Sequence, residues 1–393
     1  MAPKRAFLYS QMPLLKDQFL LEPDVIYLNH GSFGATPKPV FDVYQRWQRE
    51  LERQPVEFLD RRFAERMAAA RTDLAGYIGT KPDNLVYVTN ATVGVNIVAR
   101  NLDLGFGAEV LATDHEYGAC ERTWRFLSQK MGFSYISQPI SVPIASAKEF
   151  VEQLWQGVTA RTKAIFLSHI TSPTAIIFPI PEVCRRARAL GILTIIDGAH
   201  APGQIHLDLE EIGADFYTGN LHKWLCSPKG AGFLYADPEV QNSLEPLIVS
   251  WGWESEKPGP SRFIDQYEWQ GTRDPAPFLS VPAAIEFQGK HNWNAVRAEC
   301  HTLATQAEKQ IRELTGLSSL YASDAWFAQM VAVKLPLETD MVALKKYLYD
   351  EHRIEVPLIE WNDQKLIRVS VQGHNTNEDV EMLAKALSTW FRG

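Results

Sequence analysis

From about residue 84 onward, short apolar segments alternate with longer stretches whose apolar residues recur at helical spacing. Several of the short segments are apolar at successive positions, which is typical of strands that helices cover on both faces of a mostly parallel sheet. The pattern therefore predicts an α/β fold. Its clearest strands are predicted at residues 84–90, 109–114, 163–170, 192–198 and 232–237.

Helical stretches lie between and before these strands. Residues 181–191 (PEVCRRARALG) predict a helix that proline opens and glycine closes, and residues 39–54 predict a longer amphipathic helix outside the sheet. After about residue 285 the pattern changes to helix, strand, helix, strand and a last helix that begins near Thr376, where TNED has the spacing of a capping box. This order predicts a smaller α+β domain at the C-terminus.

The length of 393 residues suits one large α/β domain with a smaller companion. We expect an N-terminal segment (residues 1–30) that packs near the small domain, a large ligand-binding domain (31–284) and a small C-terminal domain (285–393). No internal repeat or low-complexity tract interrupts this organisation.

The charge and cysteine content narrow the classes of protein to consider. A net charge of −8 argues against a general grip on the nucleic-acid backbone, and no run approaches the length of apolar sequence that spans a membrane. The four cysteines form no CxxC pair and resemble reduced thiols rather than a disulfide frame or a zinc site. We therefore expect a soluble cytoplasmic protein without nucleic-acid or membrane partners. The cysteines are Cys120, Cys184, Cys226 and Cys300.

Polar residues follow several of the predicted strands at the point where each strand ends. Lys223 lies in GNLHKW, a polar interruption between the apolar segments DFYT and GFLYA, which both predict buried strands, and Asp197 ends the apolar run ILTII. Ligands of open α/β sheets bind outside the carboxyl ends of the strands. A lysine at such a place can form a Schiff base with a carbonyl, which pyridoxal phosphate supplies.

That cofactor makes three further demands on its site, and the sequence has a candidate for each. Asp197 would face the pyridine nitrogen, since a bare carboxylate after an apolar strand needs a cationic or hydrogen-bonding partner. Ala91 and Thr92 open a helix and could hold the phosphate, although plain helix capping is the alternative. His115, after the strand at 109–114, could lie flat against the ring.

Six motifs resemble the class V branch of the fold-type I pyridoxal-phosphate enzymes, which includes the cysteine desulfurases and the isopenicillin N epimerase-like proteins. They are NATVGVN, DHEYGA, IIDGAHAPG, TGNLHKW, GTRD and RVSVQGHNT, and they extend over most of the chain. The opening YLNHGSFGATPKPV, followed by RWQRELERQPVEFL, is most similar to the epimerase group, and ergothioneine-pathway C–S lyases have similar openings. The resemblance implies a mostly parallel sheet of the seven-stranded type between helices, the smaller α+β domain and a homodimer with shared active sites.

The resemblance also assigns the residues that contact the cofactor. Lys223 would form the internal aldimine, Asp197 would pair with the pyridine nitrogen and His200 would lie near the phenolic oxygen of the ring. His115 would stack on the ring, with Tyr117 as the alternative. The phosphate would be bound by Ala91, Thr92, Asn220, His222 and, from the neighbouring subunit, Thr272.

The substrate contacts follow from the same resemblance. Arg368 would bind the substrate α-carboxylate through a bidentate fork, for which arginine is suited, and a structural ion pair is the alternative. Asn29, His30 and Arg273 lie in motifs that the family brings near the substrate. For His222, a hydrogen bond within its own turn is the alternative to the phosphate. An entrance for a long substrate arm, or a packed dimer contact, could be formed by Trp251, Trp253 and Trp269.

One departure from the family bears on the reaction. Cysteine desulfurases carry a nucleophilic cysteine on a loop shortly before the carboxylate-binding arginine, whereas residues 350–368 (DEHRIEVPLIEWNDQKLIR) contain no cysteine. A persulfide-forming mechanism therefore lacks its nucleophile. We predict a pyridoxal-phosphate enzyme that acts at the α-carbon of an amino acid, as an epimerase first, a C–S lyase second and a class V aminotransferase third.

A hypothesis from another class is a metal-dependent hydrolase. Asp197 and His200 are three residues apart, and other histidines could complete a ligand set. Against it, no HExxH motif occurs and Lys223 would have no role, so we predict no metal. A binding module that has lost catalysis is equally hard to reconcile with the lysine. The further histidines are His115, His206 and His222.

Overall fold

The computed structural model describes residues 15–259 and 261–392, so residues 1–14 of the expected N-terminal segment (1–30) lie outside the described residues. The strands are β1 Ile26–Tyr27, β2 Leu85–Val88, β3 Glu109–Thr113, β4 Ser134–Gln138, β5 Thr162–Ser168, β6 Leu193–Asp197, β7 Phe216–Asn220, β8 Gly232–Ala236, β9 Met330–Leu335, β10 Ile354–Glu355, β11 Leu358–Trp361 and β12 Gln364–Ser370. The α-helices are α1 His30–Phe33, α2 Lys38–Arg53, α3 Phe63–Ile78, α4 Ala91–Asn101, α5 Gly118–Met131, α6 Ala147–Trp155, α7 Ile180–Arg188, α8 Leu209–Ile212, α9 Arg262–Glu268, α10 Ala276–Leu279, α11 Val281–Lys290, α12 Trp293–Thr315, α13 Met341–Asp350 and α14 Asn377–Trp390.

A seven-stranded sheet in the order β2-β8-β7-β6-β5-β3-β4 forms the centre of the fold. The pairs from β7 to β4 are parallel, and β8 runs antiparallel to both of its neighbours. Successive residues of a strand enter different cores: Ile195 of β6 packs into the core on one face and Ile196 into the core on the other. Burial on both faces explains why these strands are apolar at successive positions. The predicted α/β fold is confirmed.

Strand β4 is the one strand of this sheet that the hydrophobic pattern did not predict. It lies at the sheet edge next to β3 and is partly exposed along its length. An edge strand needs no continuous apolar surface, and Ser134, Ser137 and Gln138 give β4 a polar composition. A search for apolar runs therefore passes over it.

The C-terminal part forms a smaller antiparallel sheet in the order β11-β12-β9, and the short β1 pairs in parallel with β10. The N-terminal strand is thus joined to the last hundred residues of sequence. The expected boundary at 284/285 falls inside α11 (Val281–Lys290), so the division into 31–284 and 285–393 stays a prediction. Among the described residues, no helix combines the length and the apolar character needed to cross a membrane.

The predicted capping box at the start of α14 is present. The hydroxyl of Thr376 accepts a hydrogen bond from the Asp379 N–H, and the Asp379 carboxylate accepts one from the Thr376 N–H at 3.0 Å. These bonds satisfy two N–H groups that have no partner within a helix.

We predict that Thr376→Ala lowers the free energy of unfolding by about 1 kcal/mol, since it removes one of the two capping bonds. The matched control is Thr389→Ala, which changes an exposed threonine in the last turn of the same helix and should shift stability by less than about 0.5 kcal/mol. Denaturant unfolding measures both variants. Equal losses would contradict a stabilising capping box.

Candidate active site

A cavity of about 240 Å³ opens at the carboxyl ends of β5, β6 and β7 and at the start of α4. Seven of the predicted site residues line it, and they come from three separate segments of sequence. This is where the strand-end rule places a ligand in an α/β sheet. The lining residues are Ser32, Phe33, Asn90, Ala91, Thr92, Tyr117, Ser168, Ile170, Ser172, Asp197, Ala199, His200, Asn220, His222 and Lys223.

The backbone of the Lys223 turn is held from below by α1. His30 Nε2 donates to the Lys223 carbonyl oxygen at 3.0 Å, and Gly34 lies so close that a Cβ there would be 1.9 Å from the His222 carbonyl oxygen. The ring of His30 is fully buried, and burial lowers its pKa to about 3. His30 therefore supports the lysine turn, and its ring does not line the cavity, so its predicted substrate contact stays a prediction without support from this geometry.

Asp197 ends the central strand β6 with a buried carboxylate that faces the cavity. One oxygen accepts from the Ala199 N–H at 2.9 Å, and the other accepts the weak thiol donor of Cys120 at 3.4 Å. Burial raises the pKa of Asp197, while these hydrogen bonds and the charge of Lys223 oppose the rise. A carboxylate whose second oxygen has only a thiol partner is suited to bind an N–H donor from a ligand.

Lys223 is half-buried, with its amine in the cavity, and its Nζ lies 3.2 Å from Nε2 of His200. Burial, and next the positive charge of Arg368, lower the pKa of Lys223 to about 7. An amine with this pKa is neutral in about half of the molecules near pH 7, and the neutral form carries the lone pair that a nucleophile or a base requires.

The start of α4 forms the other end of the cavity. The side chain of Asn90 caps the helix through the Val93 N–H at 3.0 Å, while the Ala91 N–H donates to the Asn220 side-chain oxygen at 2.9 Å. The capping alternative therefore holds for Asn90. Ala91, Thr92 and Asn220 nevertheless line the cavity at a helix N-terminus, where backbone N–H groups and the helix dipole favour an anion.

His222 lines the cavity and also hydrogen-bonds across the connection between β7 and β8, to a residue just before β8. Its Nδ1 lies 3.3 Å from the Ala231 carbonyl oxygen and must donate to it. Burial, followed by the charge of Lys223, lowers the pKa of His222 to about 4, which favours the neutral ring. Nε2 of that tautomer is an acceptor, and a contact with a phosphate oxygen would require a proton there, so His222 as a phosphate ligand stays a prediction.

His115 does not stack in the cavity. Its ring is buried between Thr174, whose hydroxyl lies 2.7 Å from Nδ1, and the Ile140 carbonyl oxygen, and it packs on Trp361 with 4.4 Å between ring centroids. Tyr117, which is 45% exposed, lines the cavity instead. The loop turns the His115 ring toward the β11–β12 hairpin, so of the two predicted stacking groups Tyr117 is the one at the cavity, and stacking on the cofactor ring stays a prediction.

Arg368 lies directly behind the cavity and touches it through two serines. Its Nη1 donates to the Ser172 carbonyl at 2.7 Å and hydroxyl at 3.1 Å, and its Nη2 donates to the Ser32 hydroxyl at 3.1 Å. No acidic side chain pairs with it within the described residues, which speaks against the structural ion pair. A buried guanidinium held by neutral oxygens is suited to accept a carboxylate.

Asn29 is one step further from the cavity. Its side-chain oxygen accepts from the Ser32 hydroxyl at 2.5 Å, and its NH₂ group donates to Glu355 at 3.0 Å. Asn29 does not line the cavity, so the structure places it behind Ser32 rather than against a substrate. Ser32, Ser168 and Ser172 were not identified from the sequence. Of these, Ser168 could have been found, because it ends strand β5.

Two residues of the GTRD motif lie away from the cavity of their own chain. Arg273 donates to the Glu268 carbonyl and to Gln270 and covers the Phe278 ring, so its expected substrate contact is absent from this geometry. Thr272 is exposed and lines a separate, mostly apolar pocket with Trp251 and Trp269. The tryptophans therefore do not form the mouth of the Lys223 cavity within one chain.

The donor set of the cavity fits pyridoxal phosphate. It combines an amine of lowered pKa, a buried carboxylate with an incompletely satisfied oxygen and a helix N-terminus, which match the aldehyde, the pyridine nitrogen and the phosphate. Among residues 15–259 and 261–392, no three His, Cys, Asp or Glu side chains are arranged to hold a metal ion. The fold and this site define a fold-type I pyridoxal-phosphate-dependent enzyme.

Comparison with known proteins agrees with this class. The Aminotransferase class-V family matches residues 26–383, and the chain belongs to that family. It is 37% identical to the isopenicillin N epimerase of Amycolatopsis lactamdurans, over 95% of this chain and 96% of that protein, and 35% identical to the Streptomyces clavuligerus isopenicillin N epimerase with the same coverage. The solved structure of a C-DES variant with glycine covalently linked to its pyridoxal-phosphate cofactor superposes with a TM-score of 0.82 at 22% identity, covering 95% of this chain and 98% of that one.

The lowered pKa of Lys223 predicts how cofactor loading depends on pH. In cofactor-free protein, the rate of Schiff-base formation with pyridoxal phosphate should rise as the pH passes through about 7 and then level off, because only the neutral amine attacks. Arg368→Met removes a positive charge and should move the rise to higher pH. Stopped-flow absorbance measures both profiles.

The control for this prediction is Arg353→Met, which removes an arginine that pairs with Glu22 and Asp24 at the surface. Its profile should match that of the unchanged protein. A rise near the ordinary lysine pKa of 10.5, or identical profiles for the two arginine variants, would contradict the assigned environment of Lys223.

Proposed function

We propose that the protein is an amino-acid epimerase of the isopenicillin N epimerase type, in which Lys223 moves the α-proton. The observation that carries the proposal is the 35–37% identity to two isopenicillin N epimerases along nearly the whole chain, joined to a cavity lined by a lysine amine of lowered pKa. When bound, pyridoxal phosphate supplies the carbonyl that takes the substrate amine and a protonated ring that takes up electrons from the α-carbon.

Different residues of the chain would bind different parts of the cofactor. Asp197 would hold the proton on the pyridine nitrogen, since its second oxygen accepts only a thiol hydrogen bond. Thr92, with Ala91 and Asn220, would hold the phosphate at the start of α4. Tyr117 would lie against the ring from the solvent side of the cavity.

Arg368 would orient the substrate by binding its α-carboxylate. Its guanidinium is held beside the cavity by Ser172 and Ser32, and a free α-carboxylate there would form a charge-assisted bond stronger than those to neutral oxygens. The substrate class is therefore an α-amino acid, or a larger molecule that ends in one. Lys223 would be the base at the α-carbon, and return of a proton to the opposite face would complete epimerisation.

The absence of a sulfur nucleophile supports proton transfer over desulfuration. All four cysteines are buried and none lines the cavity. The segment before Arg368 forms the β11–β12 hairpin, whose two-residue turn, Asn362 and Asp363, has positive φ values of 46° and 59°. A tight hairpin offers no long loop that could carry a nucleophile into the cavity.

We predict that the protein incubated with isopenicillin N in deuterated water exchanges the α-proton of the side-arm amino group and forms the opposite epimer, as followed by NMR. Lys223→Ala should abolish both signals while it keeps the circular dichroism spectrum of the folded protein. The matched control is Lys229→Ala, a nearby lysine outside the cavity lining.

The same NMR assay, run with other amino acids as substrates, distinguishes the alternative reactions by their products. Pyruvate, ammonia and a released thiol from cysteine substrates would identify a C–S lyase. Oxo-acid formation that stops without an amino acceptor would identify an aminotransferase. If no candidate amino acid exchanges its α-proton, the assignment of Lys223 as an α-carbon base is wrong.

We also propose that the protein is a homodimer in which Thr272 contributes to the phosphate site of the neighbouring subunit. Thr272 is exposed and lies outside the cavity of its own chain, beside an apolar surface that includes Trp251 (83% exposed) and Val56 (57% exposed). A large exposed apolar surface is typical of a protein contact.

A hybrid test follows from this arrangement. Homodimers of Lys223→Ala and of Thr272→Asp should each be inactive, the second because a carboxylate would repel the phosphate. Mixed dimers of the two variants should regain activity, since one of their two sites holds an intact Lys223 and an intact Thr272. A monomer by light scattering, or no recovery in isolated mixed dimers, would refute the proposal.

A further inference from the structure

Trp224 follows the candidate catalytic lysine directly, and its indole is fully buried beneath the cavity. Its Nε1 donates a hydrogen bond to Nδ1 of His200 at 3.2 Å. An indole nitrogen is a donor only, so Nδ1 of His200 must be the acceptor. In a neutral imidazole the single proton then lies on Nε2.

The surroundings keep the His200 ring neutral. Burial lowers the pKa of His200 well below its ordinary value, and the charges of Lys223 and Arg368 lower it further. A second proton on the ring would also have to displace the indole N–H from Nδ1. His200 therefore has one N–H group, on the nitrogen that lies 3.2 Å from Nζ of Lys223.

This geometry decides which form of the lysine fits. The Nε2–H of His200 can donate to Nζ only when the amine is neutral and has a lone pair, because an ammonium group is a donor without an acceptor site. The contact thus favours the neutral amine. The same N–H would meet any acceptor that takes the place of the amine, such as the phenolic oxygen of the bound cofactor.

We propose that Trp224 is a positioning residue that fixes His200 in the Nε2–H tautomer, as a hydrogen-bond donor toward Lys223 and the cofactor. The alternative is that the indole only fills space, since it also packs on His30 and in a small core with Met330. The Trp224 carbonyl accepts from Gln288 at 2.9 Å, a tie that does not depend on the side chain. Trp224→Phe therefore removes the donor and keeps most of the packing.

The other groups that face Lys223 stay in place in that variant. Arg368 lowers the pKa of Lys223, while Asp197 and Cys120 raise it, and His222 lies one residue before it in the chain. None of these groups hydrogen-bonds the Trp224 side chain within the described residues. A change in the behaviour of Lys223 after Trp224→Phe would thus act through His200.

The first test reads the tautomer directly, without reference to activity. Full-length protein with ¹⁵N-labelled histidine is examined by NMR, with and without pyridoxal phosphate, and the His200 signals are assigned by their loss in His200→Gln. We expect a protonated Nε2 and a bare Nδ1 in the unchanged protein, and a growing Nδ1–H population in Trp224→Phe. A protonated Nδ1 in the unchanged protein overturns the proposal, even if the variant fails to fold.

The second test follows the lysine. The rate at which an acylating reagent labels Lys223 in cofactor-free protein is measured against pH by peptide mass spectrometry. With Nε2 free to accept, the ammonium form gains a partner, so Trp224→Phe should lower labelling at pH 7 severalfold and shift the profile to higher pH. Because neither readout requires turnover, failure here is distinct from failure of the proposed epimerase activity.

Trp124→Phe is the matched control. Trp124 is equally buried, but its indole nitrogen has no hydrogen-bond partner among the described residues and its side chain does not line the cavity. This variant should leave both the His200 tautomer and the Lys223 profile unchanged. Equal shifts in the two variants, or no shift in Trp224→Phe, would show that the indole of Trp224 acts by packing alone.

Discussion

The carboxylate of Asp197, buried at the end of the central strand, is the constraint on which the rest of the site depends. An ionised carboxylate out of water costs several kcal/mol unless hydrogen bonds or cations replace its hydration. The Ala199 N–H, the Cys120 thiol and the charge of Lys223 replace part of it. A protonated pyridine nitrogen would supply the remaining donor, and cofactor and protein would then stabilise each other. Binding that relieves such a cost also stabilises the folded chain through linkage.

Features that depend on neighbouring residues could be predicted from the sequence. The apolar runs identify the buried strands, and the strand-end rule then brings Asp197 and Lys223 together, although they are far apart along the chain. His115 shows the limit of that rule: position after a strand says where a residue lies, but not where its ring points. Contacts with Thr174 and Trp361 turn that ring into the core, and neither contact follows from a local pattern.

The carboxylate end of the site could not be predicted because it is built from opposite ends of the chain. Arg368 reaches Ser32, and Asn29 reaches Glu355, across sequence separations of 336 and 326 residues. The parallel pairing of β1 with β10 brings these segments together. The resemblance alone named Arg368 and Asn29, but it gave no order among them. The structure gives that order: Asn29 orients Ser32, and Ser32 contacts the guanidinium at the cavity wall.

Removal of the α-proton is common to epimerisation, β-elimination and transamination, so Lys223 and Asp197 do not distinguish these reactions. The distinction must come from what else reaches the substrate. The β11–β12 hairpin is tied down by the Trp361 indole, which donates to the Asp114 carbonyl at 2.8 Å, and it brings no thiol to the cavity. The cavity therefore has no cysteine thiol that could accept sulfur from a substrate. A substrate with a leaving group at Cβ could still undergo β-elimination. A substrate without such a group can only be protonated again, either at Cα, which gives epimerisation, or at the cofactor, which gives transamination. Lys223, Tyr117, Ser32 and Ser172 line one cavity, and their positions relative to a bound α-carbon would decide the face and the atom that receive the proton.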